Sequence, residues 1–299
     1  MNILVIGGSY FLGRVFVMLA SKEHSMTLVN RGTYSMGEFG VRQIKGDRHE
    51  RKVWQQCAGH YDAIVDFCAY QPGDIAYVLE NLAGSVSQYI LISTVDVYKR
   101  GTGLVKDEDA PFETRLFPGE NGAYIAGKVA LEHELARLCG LKGIHRTILR
   151  PAILYGPYNY APRESVFIQM AVQGHMLPEL LHADGRFQLV YVKDAAEAVM
   201  KCLGNRAAFD QAYNLCQDGS VGYNELFAQL CQAAGGDITM VPMSAAEAGQ
   251  RGIPLPFPVY GNETELCSNE RGKQELGIGY LPLSEGMART YRAFADIFL

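Results

Sequence analysis

The 299-residue chain is 48% hydrophobic and 20% charged, with a net charge of −5 from 32 acidic and 27 basic side chains. That length is ample for a large core, in one domain or two, and the acidic balance lacks the basic field of a nucleic-acid binder. No run reaches the length of a membrane span, and seven scattered cysteines without metal spacing read as reduced, buried thiols.

The chain opens on a strand-like run, Asn2-Ile3-Leu4-Val5-Ile6, too short for a signal peptide and without a basic segment or cleavage region. Together with the thiols this fits a reducing cytoplasm. The run leads into Gly7-Gly8-Ser9-Tyr10-Phe11-Leu12-Gly13, nearly the glycine fingerprint of a dinucleotide-binding turn. Gly7 suits the tight turn, and Gly13 suits close packing of the first helix on the sheet. Tyr10 stands where a middle glycine would let backbone approach pyrophosphate, so its ring must point away or the cofactor must shift. Gly8 and Ser9 add a flexible joint and a hydroxyl donor, and the amides that open the helix at Phe11 and Leu12 suit an anion.

Further strands are expected at 26–30, 41–45, 63–66, 88–94 and 145–150, with helices at 12–21, 51–57, 74–82 and 123–139. Val-, Ile- and Leu-rich strands separated by single helices imply a parallel sheet covered on both faces. Gly122 and Gly127 weaken the front of the longest helix by propensity, yet Val129, Leu131, Leu135 and Leu138 keep a helical period. At the end of the second strand, Asn30-Arg31 stands where an NAD-preferring site commonly has an acid. Arg31 can pair with a 2′-phosphate, which favours NADP(H) over NAD; Asn30 on an unphosphorylated ribose is the alternative. Asp47, after the third strand, is placed to accept from an adenine amino group or to lie in a solvated turn.

Ser93 and Thr94 end a strongly apolar strand, and the C-terminal strand ends of an open parallel sheet face the ligand crevice. Thr94 is the expected partner for a substrate oxygen; Ser93 is the alternative if the register differs. Tyr124 and Lys128 lie four residues apart on one helical face. A phenol has a pKa of roughly 10 in water, and a neighbouring ammonium or oxidised nicotinamide lowers it. Tyr124 is therefore the expected proton-transfer group, with Lys128 able also to fix the nicotinamide ribose.

After Arg150 the pattern changes to a Pro-, Gly- and Tyr-rich segment. Helices are expected near 165–172, 194–203, 223–234 and 283–298, with strands at 187–190 and 239–242 and a proline loop at Pro254, Pro256 and Pro258. The expected division is a dinucleotide-binding domain over 1–154, to which 187–216 return, and a substrate domain from 155–186 and 217–299. Tyr155, Asn159, Arg163 and Arg186 are its candidate substrate contacts, the arginines for a diphosphate. Asp194 is expected to cap its helix. His175 and His182 lack partners for a metal.

These motifs, with Ser93-Thr94-Val95-Asp96-Val97-Tyr98, Leu149-Arg150-Pro151, Tyr155-Gly156-Pro157, 188–196 and Tyr213-Asn214-Leu215, resemble the extended short-chain dehydrogenase/reductase family of the NAD-dependent epimerase/dehydratase type. The resemblance covers almost the whole chain. It implies an α/β fold, a Rossmann-like doubly wound parallel sheet with a smaller C-terminal α/β substrate domain. It also implies NAD or NADP, a small-molecule substrate of the nucleotide-sugar class and a homodimer. Tyr124 would be the acid/base, Thr94 would share the substrate oxygen and Lys128 would hold the cofactor during transient hydride transfer at a sugar carbon. Tyr10 and Asn30 depart from the common pattern and look like the atypical branch that includes chloroplast stem-loop-binding relatives. No acid pair in the Asp-Glu spacing of a dehydratase follows Thr94, so dehydration loses ground. An NADP(H)-dependent reductase of a small carbonyl compound, and a non-catalytic dinucleotide-sensing or RNA-binding protein, are the competing readings. The charge argues against RNA and the intact Tyr-Lys pair argues for an enzyme.

Overall fold

Short apolar runs closed by turn residues form a repeating strand–helix path. The computed structural model describes residues 1–236 and 238–298. β1 (Asn2–Ile6) turns through the glycines into α1 (Phe11–Ala20), followed by β2 (Ser25–Asn30), β3 (Arg42–Lys45), α2 (Arg51–Trp54), β4 (His60–Asp66), α3 (Asp74–Asn81) and β5 (Ser85–Ile92). The longest helix, α4 (Gly119–Lys142), leads to β6 (His145–Pro151). Then come β7 (Ile153–Tyr155), α5 (Glu164–Gly174), β8 (Met176–Leu180), β9 (Leu189–Tyr191), α6 (Val192–Cys202) and β10 (Gln211–Leu215). The chain closes with α7 (Tyr223–Ala234), β11 (Thr239–Met243), α8 (Ala245–Gln250), α9 (Glu270–Leu276) and α10 (Leu283–Phe298).

Among the described residues, one parallel sheet of seven strands has the order β10-β6-β5-β4-β1-β2-β3. The order reverses between β1 and β4, and such a switch point opens a crevice beyond the carboxyl ends of the strands. One apolar core joins α1 and α6 to one face; a second joins α2, α3 and α4 to the other. This is the expected doubly wound α/β sheet. A third core, built from α5, α7, α10 and the short β8–β11 pair, forms a smaller C-terminal α/β unit.

The two glycines at the front of α4 have packing reasons that propensity does not register. A Cβ on Gly127 would come within 2.4 Å of the Tyr70 carbonyl oxygen, and one on Gly122 within 1.8 Å of the Phe117 oxygen. The helix therefore starts earlier than the expected 123 and lies against both loops. Strands β7, β8 and β10 and helices α8 and α9 lie outside the elements expected from periodicity. Asp194 is a correction: α6 begins at Val192, so Asp194 sits inside the first turn, where its carboxylate accepts the Leu281 amide at 2.7 Å. Burial lifts its pKa, against that amide. Among the described residues no helix is long and apolar enough to cross a membrane.

Candidate active site

A cleft of about 1250 Å³ runs along the carboxyl ends of the strands, from the glycine turn to the C-terminal unit. At its nucleotide end Gly7 and Gly8 have φ of +94° and +80°, and a Cβ on Gly13 would lie 2.8 Å from Gly8 Cα. The turn therefore brings α1 against the sheet. Tyr10 precedes α1 without a side-chain cap, which leaves the opening amides of the helix available to an anion. That cradle fits a dinucleotide pyrophosphate. The Tyr10 ring turns toward Tyr34 and Tyr160, with centroids at 4.8 and 6.1 Å.

Asn30 lines the cleft, but most of its amide is committed. Its nitrogen donates to the Gly7 carbonyl (3.2 Å), while its oxygen accepts from the Gly32 amide (2.9 Å) and the Gln43 side chain (2.8 Å). These bonds join the ends of β1 and β2 and leave one N–H of Asn30 for the cleft. Arg31 and Asp47 line the cleft beside it. Asp47 accepts the His49 amide at 2.9 Å, which holds its carboxyl below the usual range, with help from the His49 ring and Arg31.

Beneath this end, Arg48 bonds both oxygens of the fully buried Asp66 (3.1 and 2.9 Å) and the Asp74 carbonyl (3.0 Å). Tyr89 donates to Asp66 at 2.6 Å, and the Asp74 carboxylate accepts the Tyr70 amide at 2.8 Å. Burial works to raise the Asp66 pKa, but Arg48, Tyr89 and the Cys68 amide hold it below the usual value. These bonds shape the Ala69–Tyr70 turn that meets α4.

Lys128 projects from α4 onto that turn. Its ammonium donates to the Ala69 and Ile92 carbonyls, both at 2.8 Å, which leaves one of its three donors. Burial pulls its pKa down to about 8. Tyr124, one turn earlier and 36% exposed, places its ring centroid 5.8 Å from the Lys128 nitrogen. Burial of the phenol pushes it up to about 12, and the Asp96 carboxylate adds to this, while the Thr94 hydroxyl and Arg163 oppose it. Desolvation thus dominates in the protein alone, against the expected lowering, and leaves the phenol neutral at neutral pH. Thr94 lines the cleft with it. Its hydroxyl donates to Asp96 and accepts the Asp96 amide, each at 3.2 Å, and Arg100 pairs with the same carboxylate. Asp96, two positions beyond Thr94, also lines the cleft and was not among the expected site residues.

Ser93 touches the cleft but is 3% exposed and donates its hydroxyl to Glu132 at 2.5 Å. It opens a buried network: Arg150 bonds Glu132 (2.6 Å) and Tyr98 (2.7 Å), and Tyr98 donates to Asn214 (2.6 Å). Ser93 is thus corrected from a substrate contact to a structural donor. In the C-terminal half, Asn159 and Arg163 line the cleft, as do Tyr160, Lys106 and Glu265, the last two as an ion pair. Asn159 holds the buried Glu164 at 2.9 Å. Tyr155 and Arg186 do not line it. Tyr155 is 1% exposed in the C-terminal core, its hydroxyl against Gly286. Arg186 bonds Glu225 (2.7 Å) and the Ser220 carbonyl. Among the described residues no cluster of three His, Cys, Asp or Glu side chains could hold a metal ion.

A family model described as the NAD dependent epimerase/dehydratase family matches residues 3–216. Chloroplast stem-loop binding protein of 41 kDa b from Arabidopsis thaliana is 28% identical over 97% of this chain and 78% of its own. A dTDP-glucose 4,6-dehydratase of Mycobacterium tuberculosis is 24% identical over 73% of each chain. The UDP-glucose 4-epimerase of Thermotoga maritima, solved with UDP-glucose, superposes with a TM-score of 0.77 at 18% identity, covering 100% of both chains. The UDP-glucuronic acid 4-epimerase of Bacillus cereus, solved with UDP-glucuronic acid and NAD, gives 0.73 at 16% identity over 99% of this chain and 100% of that one. These structures share the fold.

Proposed function

The chain belongs to the NAD dependent epimerase/dehydratase family and is an NAD(P)-dependent enzyme of the epimerase or oxidoreductase type; on that premise we propose that it epimerises a nucleotide sugar or a similar substrate. The observation that carries this reading is the juxtaposition in one cleft of the Tyr124 phenol, the Thr94 hydroxyl and the anchored Lys128 ammonium, opposite a glycine turn fit for a pyrophosphate. The names of the dehydratase and epimerase relatives, with their dTDP- and UDP-linked sugars, support the substrate class.

When bound, the dinucleotide supplies a reversible hydride acceptor at its nicotinamide ring. The chain's own residues handle the proton. Once a nearby positive charge lowers its pKa, Tyr124 gives its proton to solvent and the phenolate takes the substrate hydroxyl's proton; the phenol so formed then returns that proton to the carbonyl oxygen. Thr94 turns its hydroxyl from Asp96 to the same oxygen. Lys128 uses its third donor toward the cofactor ribose, held in place by Ala69 and Ile92. Arg31 lines the cleft beside Asn30, and its guanidinium is the partner proposed for a 2′-phosphate, hence NADP(H).

The test combines dinucleotide titration with turnover on UDP- and dTDP-sugars. Epimerisation inverts one sugar carbon and leaves nicotinamide absorbance unchanged after turnover, whereas net reduction changes it in step with product. Tyr124→Phe is expected to lower turnover by about 10²–10⁴-fold with dinucleotide binding retained. Unchanged turnover would refute the assignment. Arg31→Ala should abolish a preference for NADP(H), measured as the ratio of the two dissociation constants.

A further inference from the structure

The tyrosine in place of the middle glycine belongs to a contact that spans the mouth of the cleft. Tyr10, from the glycine turn, and Tyr160, from the loop before α5, both line it. Their rings meet edge to face at 6.1 Å, and Tyr160 also meets Phe11 at 6.4 Å. Tyr34, beyond the end of β2, backs Tyr10 edge-on at 4.8 Å. A second tie runs alongside: the Arg14 guanidinium lies 5.2 Å from the Tyr158 ring and 5.7 Å from that of Phe39.

Both sides of this contact hold a non-glycine residue in left-handed backbone, Phe11 at φ +37° and Tyr158 at +68°. Such residues persist only where their surroundings fix them. The rings themselves are not core. Tyr10, Tyr34 and Tyr160 are 42%, 49% and 72% exposed, so folding alone gains little from clustering them.

We infer that Tyr10, Tyr34 and Tyr160 form an aromatic clasp over the glycine turn, one that retains the bound dinucleotide through successive turnovers. The inference rests on the dinucleotide reading above. A tyrosine at this position forfeits the close backbone approach that glycine permits. The clasp offsets that loss by joining the cofactor loop to the substrate loop, so a dinucleotide leaves only after Tyr10 and Tyr160 part. Edge-to-face pairs supply a barrier of the right size, because each adds to simple burial. An enzyme that regenerates its cofactor in place gains from slow exchange, whereas a net reductase has to open the clasp every cycle.

The test is the dissociation rate of reduced dinucleotide, NADPH or NADH, from preloaded protein mixed with excess oxidised dinucleotide, followed by nicotinamide fluorescence. Tyr160→Ala should speed release by about tenfold, and Tyr34→Ala by less, because it only backs Tyr10. Tyr160→Phe should release as slowly as the parent, since the ring and not the hydroxyl makes the contact. The exposure of Tyr160 leaves the core intact in both variants, which a matched unfolding curve checks. Equal release rates for the parent and both alanine variants would overturn the clasp while leaving the cofactor reading intact. A parent protein that binds neither dinucleotide would overturn both.

Discussion

Two buried arginine–carboxylate pairs lie against residues of the cleft, one by Cys68 and Asp74 and one by Ser93 and Tyr98, and their surroundings differ. Arg48–Asp66 joins the end of β4 to the loop after β3 and, through the Asp74 carbonyl, to the turn that receives Lys128. Arg150–Glu132 joins β6 to α4 and, through Ser93, Tyr98 and Asn214, to β5 and β10. The first also takes in β5 through Tyr89 and the start of α3 through Asp74, and reaches the ligand-facing turn; the second knits helix, sheet and the segment around Glu108, whose carbonyl also accepts from Arg150 at 2.9 Å. The same chemical pair thus shapes a binding surface in one place and holds the fold together in the other.

The largest effect that would sharpen this contrast is on stability at the second pair. Removing one partner leaves a buried charge uncompensated, so Arg150→Met should cost about 3–5 kcal/mol in urea unfolding. Dinucleotide affinity should stay near the parent value. At the first pair, Asp66→Asn should cost about 2–3 kcal/mol and also weaken dinucleotide binding by about tenfold, because the Ala69–Tyr70 turn relaxes. If the dissociation constant does not move, the two pairs do the same job and the contrast fails.

Asp66 also sets a pH signature. Its carboxyl is held below the usual range in the fold, so its stabilisation is complete above the unfolded value of about 4 and fades as pH falls through the lower folded value. Unfolding midpoints of the parent should therefore drop below about pH 4, and Asp66→Asn should show a flatter acid limb. The smallest expected effect is at Gly127→Ala. Helix propensity gains about 1 kcal/mol, but the methyl group meets the Tyr70 oxygen and overpacking costs about 1–3 kcal/mol. A net loss of about 1 kcal/mol is expected, with a lower Lys128-dependent cofactor affinity; a net gain would show that the turn yields freely.

The nucleotide half was far more legible than the substrate half. Its strands are apolar and its helices follow them singly, so period and punctuation place β1, α1 and β2 to within a residue. Gly7, Gly13, Thr94, Tyr124 and Lys128 share the cleft they were expected to share. Tyr155 shows why the other half was harder. It lies on a three-residue strand on which Ile153 and Tyr155 pack into the C-terminal core, while Leu154 between them packs against the core of α1 and α6. On a strand one residue separates the two faces, and a segment this short has no period to read. The charge of Arg186 suits a diphosphate, but an exposed glutamate, Glu225, pairs with it.

The sequence by itself determined the parallel α/β architecture, the family and the residues with chemistry to offer, because local period, turn glycines and a four-residue helical spacing are properties of neighbouring residues. Only the tertiary structure decided which of those side chains remain uncommitted. Asn30 donates to Gly7 and Ser93 to Glu132, whereas the Tyr124 phenol stays in the cleft with its pKa raised by desolvation. Each outcome depends on a partner dozens of residues away or on the water that packing removes, and neither leaves a trace in local spacing.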